Sequence, residues 1–286
     1  MAPDALAIVI PTFGRPSSAA RVARQVAAQV RKGDEVLVID QSDPDAHAEL
    51  CAALPPSVRV TWRPPGLPAA RNAGIADTSA PLIVFFDDDV VLDGGCLEGH
   101  RAAFADPTVG GVVGRICEVR LRPNARHTTN RVSFSGRIVS RLDRTEPGPI
   151  ETLKGANMSL RRLALDEVGG FDERYGGTAL LEDADLSTRV ARRGWRLQYA
   201  PAASVDHLHA HTGGVRAASR RESERWRFRN TAYFLAKHRG RLDGLASAAT
   251  FGAIAVVRAA QLRDPSAVAT WMGAWVEGWA AGRRSA

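Results

Sequence analysis

Three short apolar segments each run straight into a polar or acidic stop. Leu6 to Ile10 ends at Pro11, Glu35 to Ile39 ends at Asp40, and Pro81 to Phe86 ends at Asp87-Asp88-Asp89. Runs of this length, rich in β-branched residues, read as strands buried on both faces of a sheet. Helical stretches separate them. Ser17 or Ser18 can cap a helix running to about Val30. A polar turn at Gln41 to Asp45 precedes a short helix to Leu54. Val58 to Trp62 reads as a further strand, Pro64 to Pro68 as a loop, and Ala69 to Asp77 as a helix. Strands alternating with helices predict a parallel α/β sheet, and such sheets bind ligands at the carboxyl ends of their strands. Asp40 and the Asp87 to Asp89 triplet both fall at such ends.

Beyond Val109 to Arg115 the pattern weakens. Arg120 to Pro149 is polar and rich in Arg, Thr, Ser and Pro, and reads as an irregular insertion with the character of a mobile loop. Leu181 to Arg193 has helical spacing, with Leu186 and Val190 on one side. After Gly213 the chain turns helical and basic to about His238, then Ala-rich, with Trp271, Trp275 and Trp279 spaced four apart. That spacing makes one helical stripe, expected to pack in a core, with a membrane or partner contact as the other reading.

Length and composition bound the class. The 286 residues suit one large domain or one domain with an appendage, and 45% hydrophobic with 24% charged residues is ordinary for a globular chain. A net charge of +7 gives a solvated basic face or a pull toward anionic ligands or an anionic membrane surface. Nucleic acid is not expected, since no Lys/Arg block is interleaved with aromatics. Cys51, Cys96 and Cys117 are odd in number and fit no metal spacing, so they read as free thiols in a reducing compartment. Met1 to Ile10 lacks a secretory signature. No uninterrupted apolar run looks long enough to span a bilayer; Leu245 to Ala260 comes nearest and is broken by Arg258. The expected location is cytoplasmic, with the inner face of the plasma membrane as a peripheral site.

Three constellations carry chemistry. Adjacent carboxylates Asp87, Asp88 and Asp89 repel one another and call for a positive partner, for which a hard divalent cation is suited. On an extended segment Asp87 and Asp89 share a side. Glu182, Asp183 and Asp185 open a helix, where the dipole favours negative charge. Asp183 there is a candidate general base, and the helix terminus is expected to lower its pKa, leaving geometry to make it competent. His207, His209 and His211 alternate, which on an extended segment puts all three imidazoles on one face at metal-ligand spacing. An acidic turn, a routine helix start and a surface histidine cluster are the bland readings of the three. Neither G-x-G-x-x-G nor G-x-x-x-x-G-K-[ST] occurs, which argues against a dinucleotide oxidoreductase and a P-loop NTPase.

In order, these pieces resemble inverting glycosyltransferases of the GT-A fold, family 2, over about residues 6 to 238. Ile8 to Arg15 looks like that family's first strand and nucleotide loop. Asp40 resembles the acid near the base or ribose, although Gln41-Ser42 departs from the usual residues after it. Gly66-Leu67 and Ala70-Arg71-Asn72-Ala73-Gly74-Ile75 resemble the nucleotide-side helix, and Phe85 to Val90 the D-x-D region. Gly155-Ala156-Asn157-Met158 resembles the segment lining the sugar and acceptor pocket. Gly169-Gly170-Phe171-Asp172-Glu173 followed by Glu182-Asp183 resembles the acceptor side. Arg229-Asn230, Tyr233-Phe234-Leu235 and Lys237-His238 are similar to the tail of bacterial rhamnosyltransferase-like members.

The resemblance implies an α/β GT-A fold, mostly parallel in its central sheet, flanked by helices and followed by a helical C-terminal region. It implies a catalytic domain over residues 1–215, with a nucleotide half to about 115 and an acceptor half over 116–215, and then helices over 216–286. It assigns Pro11, Thr12, Arg15, Asp40, Arg71, Asp87 and Asp88 to the donor nucleotide, and Gly155, Ala156, Asn157 and Glu182 to the donor-sugar and acceptor pocket. Asp89 and His207 take the metal, Mn2+ or Mg2+, and Asp183 is the base. The donor would be a UDP-, dTDP- or GDP-linked sugar, and the acceptor a glycan, a lipid-linked sugar or a small molecule. The C-terminal helices could pack on the catalytic domain, form a homodimer or touch a membrane. Two rivals are a catalytically degenerate nucleotide-sugar-binding protein and a sugar nucleotidyltransferase; the latter normally carries a Gly-rich loop after the first strand, where Pro11 to Arg15 has one Gly.

Overall fold

A computed structural model describes residues 4–118, 129–134, 136–209, 214 and 219–285. In chain order, β1 (Leu6–Thr12), α1 (Pro16–Ala27), β2 (Glu35–Asp40), α2 (Pro44–Ala53), β3 (Val58–Trp62), α3 (Leu67–Ala76) and β4 (Leu82–Phe86) form the first half. Then come β5 (Val90–Leu92), α4 (Cys96–Ala103), β6 (Val109–Glu118), β7 (Thr129–Val132), β8 (Ile138–Arg141), β9 (Gly148–Pro149), β10 (Asn157–Arg161), α5 (Arg162–Val168), α6 (Glu182–Arg192) and β11 (Arg196–His207). Helices α7 (Arg220–His238), α8 (Arg241–Leu262) and α9 (Ser266–Arg283) close the chain.

The main sheet runs β3-β2-β1-β4-β10-β6-β11-β5, with β9 added to β11. Strands β3, β2, β1 and β4 pair in parallel, as the apolar runs predict. Every residue of β1 and of β4 is buried, as expected of strands covered on both faces. From β10 onward the sheet is mixed: β10 is antiparallel to both β4 and β6, whereas β11 is parallel to β6 and antiparallel to β5. The parallel order therefore holds for β3, β2, β1 and β4, and the rest of the sheet interleaves both directions.

Local chemistry shifts some boundaries. Helix α1 begins at Pro16 with Arg15 in the capping position, not Ser17 or Ser18. A proline needs no N–H partner and is preset for the first helical turn. The stretch expected to be irregular holds a β7–β8 hairpin, with Asn130 opposite Ser140 and Val132 opposite Ile138. The alternation read through His211 stops at His207, where β11 ends; His209 has φ +52°, and His211 lies outside the described residues.

Two apolar cores result. The larger surrounds the main sheet. The second joins α7, α8 and α9 to Val132, Tyr175, Leu181 and Ala184, so the C-terminal helices pack beneath the acceptor half. Trp271 and Trp275 are buried there, with Phe251 wedged 4.9 Å from Phe228 and 4.8 Å from Trp275 between ring centroids. The tryptophan stripe is thus mainly core. Helices α7 and α9 approach closely because Gly278 and Gly282 face the backbone of Arg229 and Tyr233, where a Cβ would collide. One correction concerns α8: Asp243–Leu262 is long and apolar enough, by length and composition, to cross a membrane.

Candidate functional site

The ends of β1 and β4 open onto a cavity of about 170 Å3. It is lined by Pro11, Thr12, Phe13, Arg15, Gln41 and Leu67, by all three carboxylates of the triplet, and by His207 and Gly214. A second cavity of about 320 Å3 lies alongside, and the two share Leu67, Asp87 and His207. The second is lined by Arg71, Lys154, Gly155, Ala156, Glu182 and Asp183, with Asn130, Val132 and Ile138 from the hairpin. Residues from distant parts of the sequence thus meet in one cleft at the strand ends.

The triplet's repulsion is met by arginines. Arg15 lies 2.8 Å from Asp88 and 3.4 Å from Asp89, and Arg71 lies 3.2 Å from Asp87. Thr12 donates its hydroxyl to Asp88 at 2.7 Å. Burial still dominates for Asp88 and pushes its pKa up to about 6 against the pull of Thr12 and Arg15. The strand β11 brings His207 opposite Val90, which sets its Nε2 3.2 Å from Asp89.

Asp87, Asp89 and His207 offer ligand atoms that all lie within 4.8 Å of one another. Two carboxylates and an imidazole form a donor set suited to a hard or borderline divalent ion such as Mg2+ or Mn2+. The Nδ1 of His207 is buried with no hydrogen-bond partner among the described residues, which leaves a ring nitrogen over beside the one that faces Asp89. The residues fit a divalent cation. Asp87, which the sequence reading gave to the nucleotide, is the third member of the group. His209 lies tilted against His207 with ring centroids 4.0 Å apart and planes at 47°, despite leaving the strand.

The second cavity is built around Arg71, expected at the nucleotide, which is almost fully buried and pairs with Glu182 as well as Asp87. Burial opposes its charge, but Glu182, Asp87 and Asp183 together outweigh that and raise its pKa. One guanidinium cannot neutralise three acids. Burial, with Asp183 and Asp87 adding repulsion against Arg71's attraction, lifts Glu182 to about 8. Gly155 is required beside Arg71, because any side chain there would occupy the guanidinium's place.

Asp183 accepts the Ala184 N–H at 2.7 Å and the Gly155 N–H at 3.1 Å. Its pKa is raised by burial, which exceeds the opposing effects of Gly155, Arg71, Ala184 and Lys154. This corrects the expectation of a lowered value: desolvation outweighs the helix terminus. The turn before it is strained, with Ala179 at φ +51° and Leu181 at φ +74°. Both are buried in or beside the helical core, and such strain persists where packing over-determines the backbone. Asp172 and Asp185 tie this turn to α7. Lys237 lies 2.7 Å from each, Tyr233 donates to Asp172 at 2.7 Å, and His238 lies 2.7 Å from Asp185.

Two expected site residues stand apart. Asp40 is fully buried, and its carboxylate accepts Ser42 N and Oγ at 3.0 and 2.6 Å and faces His47 at 2.7 Å. Gln41, the next residue, lines the cavity in its place. Asn157 is also fully buried: it donates to Arg115 and Ala203 at 3.0 and 2.8 Å and faces His100 Nε2 at 2.7 Å. It clamps β6, β10 and β11 together from inside. Lys154 and the hairpin residues are lining groups the sequence did not single out, since nothing local marks a β7–β8 hairpin as part of a pocket.

The family profile described as "Glycosyltransferase like family 2" matches residues 3–229. The pre-mycofactocin glycosyltransferase of Mycobacterium tuberculosis is 35% identical over 147 residues, covering 50% of this chain and 30% of that protein. The O-antigen chain rhamnosyltransferase RfbN of Salmonella typhimurium is 27% identical over 214 residues, covering 72% of this chain and 67% of that protein. The chain therefore spans under a third of the first relative's length and two thirds of the second's. Among solved structures, the mannosyltransferase PcManGT of Pyrobaculum calidifontis, in complex with GDP-Man and Mn2+, has a TM-score of 0.59 at 16% identity, covering 97% of this chain and 86% of that one. That likeness concerns the fold, which is GT-A. With most of its length matched by the profile, the chain belongs to glycosyltransferase family 2.

Proposed function

We propose that the chain transfers a sugar from a nucleoside diphosphate sugar to an acceptor hydroxyl with inversion at the anomeric carbon. The observation that carries this reading is the shared boundary of the two cavities: the Asp87, Asp89 and His207 group and Asp183 open onto one cleft. Asp87, Asp89 and His207 would hold a divalent cation, which when bound supplies Lewis-acid neutralisation of the departing diphosphate. Pro11, Thr12 and Arg15 lie where the nucleotide would run, and Arg15 is placed to exchange its carboxylate partners for phosphate oxygens.

Asp183 acts as the base. It takes the proton of the acceptor hydroxyl as that oxygen bonds to the anomeric carbon and the bond to the diphosphate breaks on the opposite face. Its raised pKa makes it a stronger base than an ordinary aspartate. Glu182 and Arg71 hold the floor between donor and acceptor. The rhamnosyltransferase named among the relatives favours a deoxyhexose donor and a sugar hydroxyl of a growing glycan as acceptor. Incubation with UDP-, dTDP- and GDP-sugars, with proton NMR of the product's anomeric signal, tests this. Transfer with inverted configuration supports it, and transfer with retained configuration rules out the single displacement at Asp183.

A further inference from the structure

The outward face of α8 is an apolar stripe. Leu245, Ala249, Ala253, Val256, Val257 and Ala260 are exposed and follow helical spacing, and the two valines and the leucine are 60%, 57% and 69% exposed. Between residues 245 and 260 the helix carries one charge, Arg258, and that side chain turns inward to pair with Glu224 of α7. The charge that interrupts the run in sequence is therefore absent from the outward surface. Helix α9 extends the stripe with Val276, 66% exposed. Between the two helices runs an apolar groove of about 580 Å3, lined by Leu245, Ala248, Trp275, Val276 and Trp279 and edged by Arg283.

The ends of this face are basic. Arg239 precedes α8, Arg263 follows it, and Arg283 and Arg284 end α9; all four are exposed. Among the described residues, none of the four lies within 4 Å of a carboxylate. An apolar stripe about 24 Å long with exposed arginines at its ends, of which Arg239 also donates to the Val132 carbonyl, matches an anionic lipid surface, which takes apolar side chains into the acyl boundary and cations at the phosphates. A second copy of the chain fits less well, because it would set the same arginines against each other and bring together two chains of charge +7. A crossing of the bilayer would strip Phe251 from Phe228 and Trp275 and expose the Arg258–Glu224 pair to lipid.

We propose that the α8–α9 face docks flat on an anionic bilayer, with acyl chains entering the groove beside Trp275 and Trp279. This goes beyond the sugar-transfer reading and does not depend on it. The test is flotation of the whole chain with vesicles of phosphatidylcholine alone and of phosphatidylcholine mixed with phosphatidylglycerol, at low and high salt, with no donor or acceptor present. The wild type should float with the anionic vesicles, and less so at high salt. Replacing both Arg283 and Arg284 by serine should weaken partitioning about 30-fold. Val256→Glu with Val257→Glu should abolish it; both positions are exposed, so the melting temperature should hold. Vesicles with brominated acyl chains should quench tryptophan fluorescence of the wild type, a readout that needs no variant. Lack of flotation, equal flotation on neutral vesicles, or absence of quenching overturns the proposal. A concentration-dependent dimer in light scattering that Val257→Glu dissociates also overturns it and gives the face to a second copy.

Discussion

Arg71 reaches Asp87 at 3.2 Å with one guanidinium nitrogen while pairing with Glu182 through another, so one buried cation joins the strand-end triplet to the start of α6. Residues 71, 87 and 182 lie on separate elements, and nothing else described bridges them so directly. Arg71→Leu should remove the neutralising charge and destabilise the fold by about 3–5 kcal/mol where the acids stay ionised. Arg71 holds Glu182 down to about 8, so without it Glu182 stays protonated at pH 7 and the loss is softened there. Urea denaturation should therefore show a larger deficit at pH 9 than at pH 7.

Asp183→Asn should keep nucleotide binding and lose transfer by about 100-fold or more, the usual contribution of a positioned base. The amide keeps the shape and can still accept one of the Gly155 and Ala184 N–H groups, but it cannot accept the proton. Turnover by the wild type should fall on the acid side at a pH above the ordinary aspartate range, since burial raises this group. A pH profile of kcat/KM reads the limb directly.

The parallel half of the fold was legible because each strand is a β-branched apolar run stopped by Pro or Asp, a pattern set by burial on both faces. The acceptor half was not. Strand β11 needs twelve residues and an irregular step between Ala200 and Ser204 to bring His207 to Asp89, and a local reading sees only alternation. The triplet, Glu182 and Asp183 were legible as chemistry because acids clustered at strand or helix ends are costly without a partner, whereas Arg15 came only from the family resemblance. Asp40 and Asn157 look the same in sequence as site residues, yet their partners, His47 and His100, make them internal cross-links.

His100 is the clearest source of pH-dependent stability. It is fully buried between Ser159 at 2.8 Å and Asn157 at 2.7 Å, and burial pulls its pKa down to about 4, with the Asn157 contact working against that. The unfolded chain takes up this proton first, near pH 6.5, so the contribution is present above that value and is lost as the pH falls toward 4. The size is about 3 kcal/mol. Urea midpoints measured from pH 7 to pH 4.5 should fall more steeply for the wild type than for His100→Asn.

Lys237 holds two acids, Asp172 and Asp185, at 2.7 Å each. Arg174, Lys237 and Tyr233 overcome the effect of burial on Asp172 and keep its carboxyl well below the usual range. Lys237→Met should cost about 1–3 kcal/mol, since Asp172 keeps Arg174 and Asp185 keeps Arg189, each at 2.8 Å. The strained turn at Ala179 and Leu181 rests on the same packing, so acceptor KM should rise while donor binding changes little; steady-state kinetics against each substrate separates the two.

Asp87, Asp89 and His207 would make the nucleotide site depend on a divalent metal. The most direct test is the melting temperature of wild type and Asp89→Ala with UDP, GDP and dTDP, each with and without Mn2+. Ligand at about 100 times its Kd adds about 2.7 kcal/mol, a rise of about 5–10 °C at this size. That rise is expected with one nucleotide, only when Mn2+ is present, and should be lost in Asp89→Ala. A rise that is indifferent to metal and kept in the variant, or no rise with any nucleotide in folded protein, contradicts it.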